Sequence, residues 1–162
     1  MIPLSDTPQR RSSPAITILI IIINVLVYFY SFGKPPGFYD VFIMKYGVIP
    51  FEITTGIDIP PLINYPVYIT LITSLFIHGG FSHIFGNMLF LWIFGDNVED
   101  VLGKIKYLLI YFVGGIAASL CQVAISPSSK VPLVGASGAI SAVMGAYIVL
   151  LPLSFINMIV PF

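Results

Sequence analysis

The stretch HGGFSHIFGNMLFLWIFGDNVEDVLG, residues 78–103, decides how this chain is read. Its middle, from about residue 82 to 98, is an apolar and aromatic run that contains the single tryptophan, Trp92. A run of about 20 such residues is what a helix needs to cross a bilayer with every backbone amide satisfied internally. Its two ends are polar. His78, His83 and Asn87 stand at one, and Asp96, Glu99 and Asp100 at the other. Ionisable and amide side chains are costly at membrane depth, so their presence there points to function.

Outward from this stretch the composition settles the class. Of 162 residues, 57% are hydrophobic and 9% charged, and the mean hydropathy is +1.00. A soluble domain carries roughly 25% charged residues, so the chain is expected to be an all-α, polytopic bundle of transmembrane helices in a lipid bilayer. Four spans are expected, at about residues 15–32, 82–98, 106–125 and 135–152. Seven basic residues balance seven acidic ones, which excludes the basic footprint of a nucleic-acid partner. Neither a cofactor nor a metal is called for: His78 and His83 are five apart, a poor ligand pair on a helix, and no carboxylate stands beside them. The lone cysteine, Cys121, lies inside an apolar run, where a buried, inert thiol is expected.

The flanks add topology. Arg10 and Arg11 precede the first span, which Pro14 opens at a helix-start position. By the positive-inside rule they place the tail, residues 1–14, in the cytoplasm, and Lys104 and Lys106 fall on the same side. The cell membrane is the expected location. The first apolar run is too long for a signal-peptide core and no small-residue cleavage site follows it, so an uncleaved anchor is expected. Residues 33–81 form a long connection rich in proline and aromatic residues, which should lie partly in the outer headgroup layer. Within it, 67–77 is apolar but short, and reads as an interfacial or re-entrant helix. Beyond the fourth span, 153–162 reads as the start of a truncated fifth.

The chemistry begins with spacing. His83 and Asn87, four apart, share one helix face. Two N–H donors aimed the same way can stabilise an oxyanion, or they can hold helices together. Ser137 lies in VGASGA (134–139), where a glycine-rich turn opens an apolar run. It can be read as a nucleophile at a helix N-terminus that favours anions, or as a simple N-cap.

In order, these segments resemble the core of the rhomboid intramembrane serine proteases. The family's HxxxxHxxxN element matches His78, His83 and Asn87. Its GxxxExxxG element matches Gly95, Glu99 and Gly103, and its GxSG turn matches Gly135, Ser137 and Gly138. The resemblance covers about residues 14–152. It implies Ser137 as nucleophile, with His83 and Asn87 as the oxyanion hole. His78 and Gln122 would order water at the site mouth, and Glu99 would bind helices together. The implied reaction is hydrolysis of a peptide bond in or beside a transmembrane helix of a protein substrate.

The match departs in three places. A serine nucleophile needs a base. The family takes it from a histidine on a late core helix, and His78 and His83 are the two histidines present. With four spans of the six or more that the family implies, the chain reads as a C-terminally incomplete or naturally shortened relative. Val67-Tyr68 lies roughly where many relatives carry Trp-Arg, and Ser141 stands where some carry an aromatic residue. The alternative is a non-catalytic rhomboid-like protein that binds transmembrane helices without cutting them. An unrelated small polytopic scaffold is a third reading.

Overall fold

The structure is a computed structural model that describes residues 2–7 and 12–159. Arg10 and Arg11, on which the expected orientation rests, lie outside them. Helix α1 spans Ala15–Phe32, after Pro14 at its N-cap and before Gly33 at its C-cap. Its buried positions, Thr17, Ile20, Asn24, Tyr28 and Ser31, recur every three or four residues, which is one face of a helix. The remaining faces are apolar yet exposed, at Leu26 and Phe29 among others. That arrangement suits lipid rather than water.

The 33–81 connection is more ordered than a loop. It holds α2, Phe38–Tyr46, and α3, Pro50–Thr55. A compound segment follows, with one short α-helix, α4, Thr70–Thr73, between two 3-10 turns at Val67–Ile69 and Ser74–Phe76. This segment bends by 81° into α5, Phe81–Leu102. Gly103, with φ +77°, is the one residue between α5 and α6, Lys104–Ile125. A tight antiparallel turn there needs the left-handed side of φ space, which glycine enters without strain. The last helix, α7, is Ser137–Leu150.

Helices α1 and α6 are long and apolar enough to cross a membrane alone, and Val67–Phe76 with α5 makes a third candidate. The expected count of four is not reached by length and composition. Helix α7 has 14 residues, about 21 Å at 1.5 Å per residue, against about 30 Å of hydrocarbon. The core lies where α5, α6 and α7 meet, around Leu91, Phe94, Val98, Tyr107, Tyr111, Ala139, Val143 and Tyr147. Small residues bring these helices close. A Cβ added at Gly138 would lie 2.5 Å from that of Ala118, and one at Gly95 would lie 2.7 Å from the Tyr107 hydroxyl.

Two findings correct expectations. The fold was expected to be all-α. Instead, Ile156–Ile159 is a strand, β2, antiparallel to β1, Ile2–Asp6. Backbone pairing between the two segments satisfies amides that would otherwise lack partners. Cys121, expected to be buried, is exposed. In a helix facing lipid, an apolar surrounding in sequence does not mean burial in protein.

Candidate active site

Ser137 is the first residue of α7. The N-cap position belongs to Ala136, and no side chain caps the helix, so the hydroxyl is not engaged as a cap. The preceding turn is held from two sides. Val48 and Leu133 exchange backbone hydrogen bonds of 3.0 and 2.8 Å, and the Gly135 N–H donates to the Ser74 carbonyl at 2.9 Å. Ser129 also accepts from the Phe51 N–H, at 2.9 Å. The segment after α1 therefore anchors the approach to Ser137.

Gly135 has φ +121°, and a Cβ placed there would lie 2.7 Å from His83 Nε2 and 3.9 Å from Asn87 Nδ2. Both nitrogens face space that only a glycine leaves open. Their protonation follows from hydrogen bonding. The Gly79 N–H donates to His83 Nδ1 at 3.3 Å. A ring nitrogen that accepts carries no proton, so in the neutral imidazole the proton sits on Nε2. Asn87 is buried and its Nδ2 has no hydrogen-bond partner. Two donors from adjacent turns of α5 thus lie beside the backbone turn that precedes an exposed serine.

A cavity of about 210 Å³ opens beside them, lined by Ser74, Ser119, Gln122, Gly135, Ser137 and Gly138 among others. Gln122 and Ser137 meet here although they lie on different helices. His83 and Asn87 are not in its lining, and Gly135, which is, lies next to both. Sequence reasoning missed Ser74. Its hydroxyl is buried without a partner and borders the cavity, and the available signal was a serine inside the short apolar piece 67–77. Ser141 donates to the Ser137 carbonyl at 2.8 Å, an ordinary back-bond along the helix.

His78 is 1% exposed. Its ring meets that of His83 edge-on, with centroids 5.1 Å apart, and its carbonyl accepts from the Tyr39 hydroxyl at 3.0 Å. It borders a second cavity, on the side of α1 and α2.

The remaining matched residues pack and cap helices. Glu99 is 2% exposed and accepts from the Ile16 N–H at 3.0 Å, the Thr17 N–H at 2.8 Å and the Thr17 hydroxyl at 2.9 Å. Its carboxylate caps the first turn of α1 from α5. Gly95 and Gly138 permit close packing, and Gly103 makes the turn.

Comparison with known proteins gives one consistent result. The family profile described as the Rhomboid domain matches residues 66–162. Rhomboid protease GluP of Bacillus subtilis is 41% identical over 76 residues, covering 47% of this chain and 14% of that protein. Rhomboid protease AarA of Providencia stuartii is 30% identical over 158 residues, covering 88% of this chain and 53% of that protein. Rhomboid-like protein 11, chloroplastic, of Arabidopsis thaliana is 36% identical over 77 residues, covering 48% of this chain and 27% of that protein. The matches span about half the length of these relatives, or less.

Proposed function

This chain belongs to the rhomboid family, and from that premise we propose that it is an intramembrane serine endopeptidase with Ser137 as its nucleophile. The observation that carries the proposal is the convergence of His83 Nε2–H and Asn87 Nδ2–H on the Gly135 turn beside Ser137. The Ser137 hydroxyl oxygen attacks the carbonyl carbon of a scissile peptide bond. The two N–H donors then receive the negative oxygen of the tetrahedral intermediate. Each such donor is worth about 10²–10³ in rate. The first-turn backbone N–H groups of α7 add partial positive charge near Ser137.

Attack also requires removal of the serine proton. His83 is held as a donor by Gly79, and His78 lies on another cavity, so neither is poised as the base. Here the chain provides the nucleophile and the oxyanion side of the reaction, and the base is a group other than these two histidines. The same fact favours the second reading, a rhomboid-like protein that holds transmembrane helices without cutting them. Under either reading the substrate or partner is a transmembrane protein segment entering from the membrane. The proposed topology has four spans, α7 included, with the N-terminal tail in the cytoplasm of a cell-membrane protein.

The test is labelling of the detergent-solubilised protein with a fluorophosphonate probe. The wild type should label and Ser137→Ala should lose essentially all signal. Equal signal from the two proteins would remove Ser137 as nucleophile and leave the binding reading.

A further inference from the structure

The N-terminal strand β1 reaches into the helical bundle through one side chain. Asp6 Oδ2 accepts from the Asn97 side-chain amide at 2.8 Å and from the Tyr147 hydroxyl at 2.7 Å. Asn97 is 3% exposed on α5 and Tyr147 is 2% exposed on α7, so each is a buried donor that needs an acceptor. Asn97 also donates to Asp96 at 3.0 Å, and Ser154 stands within reach of the Tyr147 hydroxyl. Asp6 is the group that both helices hold at once. A carboxylate acceptor makes such bonds about twice as strong as neutral ones. The aspartate is itself set in place by the sheet. It is paired with Ile156 of β2. Beside it the Thr7 N–H donates to the Phe155 carbonyl at 3.1 Å, and the Phe155 N–H donates to Thr7 Oγ1 at 3.0 Å.

The two helices joined here are the two that carry the proposed chemistry. Asn97 lies ten residues beyond Asn87 on α5, and Tyr147 lies ten beyond Ser137 on α7, about 15 Å along either axis. At the Asp6 end, Phe94 of α5 and Tyr147 of α7 pack edge-on, with ring centroids 5.0 Å apart. One end of the helix pair is pinned, and the other brings the serine turn beside its donors. We propose that Asp6 is a positioning residue. By fixing the spacing of α5 and α7 at the pinned end, it sets how closely His83 and Asn87 stand to the Ser137 turn. Its chemical consequence rests on the protease reading above. A misplacement of about 1 Å caused by a remote change can cost about 10²-fold in rate.

The experiment follows fluorophosphonate labelling of the detergent-solubilised protein over a range of probe concentrations, which separates probe affinity from the rate at saturation. Asp6→Ala should react about 10–100-fold more slowly at saturation, with probe affinity within about twofold of the wild type. Asp6→Asn, whose amide oxygen still accepts from both donors, should recover most of the rate. Tyr147→Phe keeps the ring against Phe94 and loses one bond, so it should fold even where Asp6→Ala does not. It should also slow labelling, and adding it to Asp6→Ala should slow it little further. Ser5→Ala, which removes only an exposed bond from Asn157 on the same sheet, should label as the wild type does. A second readout is independent of the chemistry. Nitroxides at Phe85→Cys and Ser141→Cys, both exposed positions near the site, report the α5–α7 spacing in a Cys121→Ala background. Their distance distribution should be broader in Asp6→Ala than with Asp6 present. An unchanged distribution, an unchanged saturated rate in Asp6→Ala or Tyr147→Phe, or a loss carried by probe affinity alone would overturn the proposal. Where the wild type itself does not label, the protease reading falls and the spin distances alone decide the brace.

Discussion

Gly135 joins the two halves of the candidate site, because its missing side chain is what lets His83 and Asn87 face the serine turn. Alanine there would need φ near +121° and would put a methyl group 2.7 Å from His83 Nε2. Backbone strain of this kind costs about 1–3 kcal/mol, and the methyl would also push the imidazole away. Gly135→Ala should therefore lower the unfolding midpoint in detergent and suppress fluorophosphonate labelling even though Ser137 remains. Unchanged labelling would separate the two donors from the reaction. Ser137, His83 and Asn87 were singled out in the sequence through their spacing and through a known family pattern, and the structure places His83 and Asn87 beside the Gly135 turn. The placement of His78 was not legible there. Nothing in its neighbours distinguishes a ring at a site mouth from one enclosed by Tyr39 and the end of α1, because that enclosure is made by residues about forty and fifty positions away.

At the scale of elements, the packing of α6 on α7 carries Ser137, and it depends on glycines whose surroundings differ sharply. A Cβ at Gly114 would overlap that of Ala142, whereas one at Gly145 would meet nothing within 4 Å. Gly114→Val should force the two helices apart at a cost of about 1–3 kcal/mol. Gly145→Ala should cost nothing and can gain up to about 1 kcal/mol, since glycine inside a helix is disfavoured. Denaturant unfolding in mixed micelles checks both, and equal losses would mean that close α6–α7 approach is not what stabilises the pair. The long helices were readable from length and hydropathy. The contents of 33–81 were not, because α2, α3 and the 3-10 turns are short, carry mixed residues and are held by contacts such as Val48 with Leu133. The strand at Ile156–Ile159 was hidden for a related reason: a short apolar run is ambiguous until its partner at Ile2–Asp6 is known.

For the molecule as a whole, Glu99 determines how α1 is joined to the rest. Its three hydrogen bonds satisfy donors at the start of α1 from within α5. In Glu99→Gln an amide NH2 would confront donors that the carboxylate accepted. The loss should be about 1–3 kcal/mol, seen as a lower unfolding midpoint. Stability equal to the wild type would show that the bilayer alone keeps α1 in place. The class of molecule was legible at this scale from composition, whereas burial of individual residues was not, as Cys121 illustrates. The cap has a mechanical corollary. Thr17 is the pinned point and Tyr28 lies eleven residues further on, about 16 Å along the axis. A tilt of about 5° about that fulcrum would leave Thr17 nearly still and swing Tyr28 by about 1.4 Å. Helix α1 is therefore a lever, and thermal rocking should widen the crevice at its far end while the pinned end stays shut.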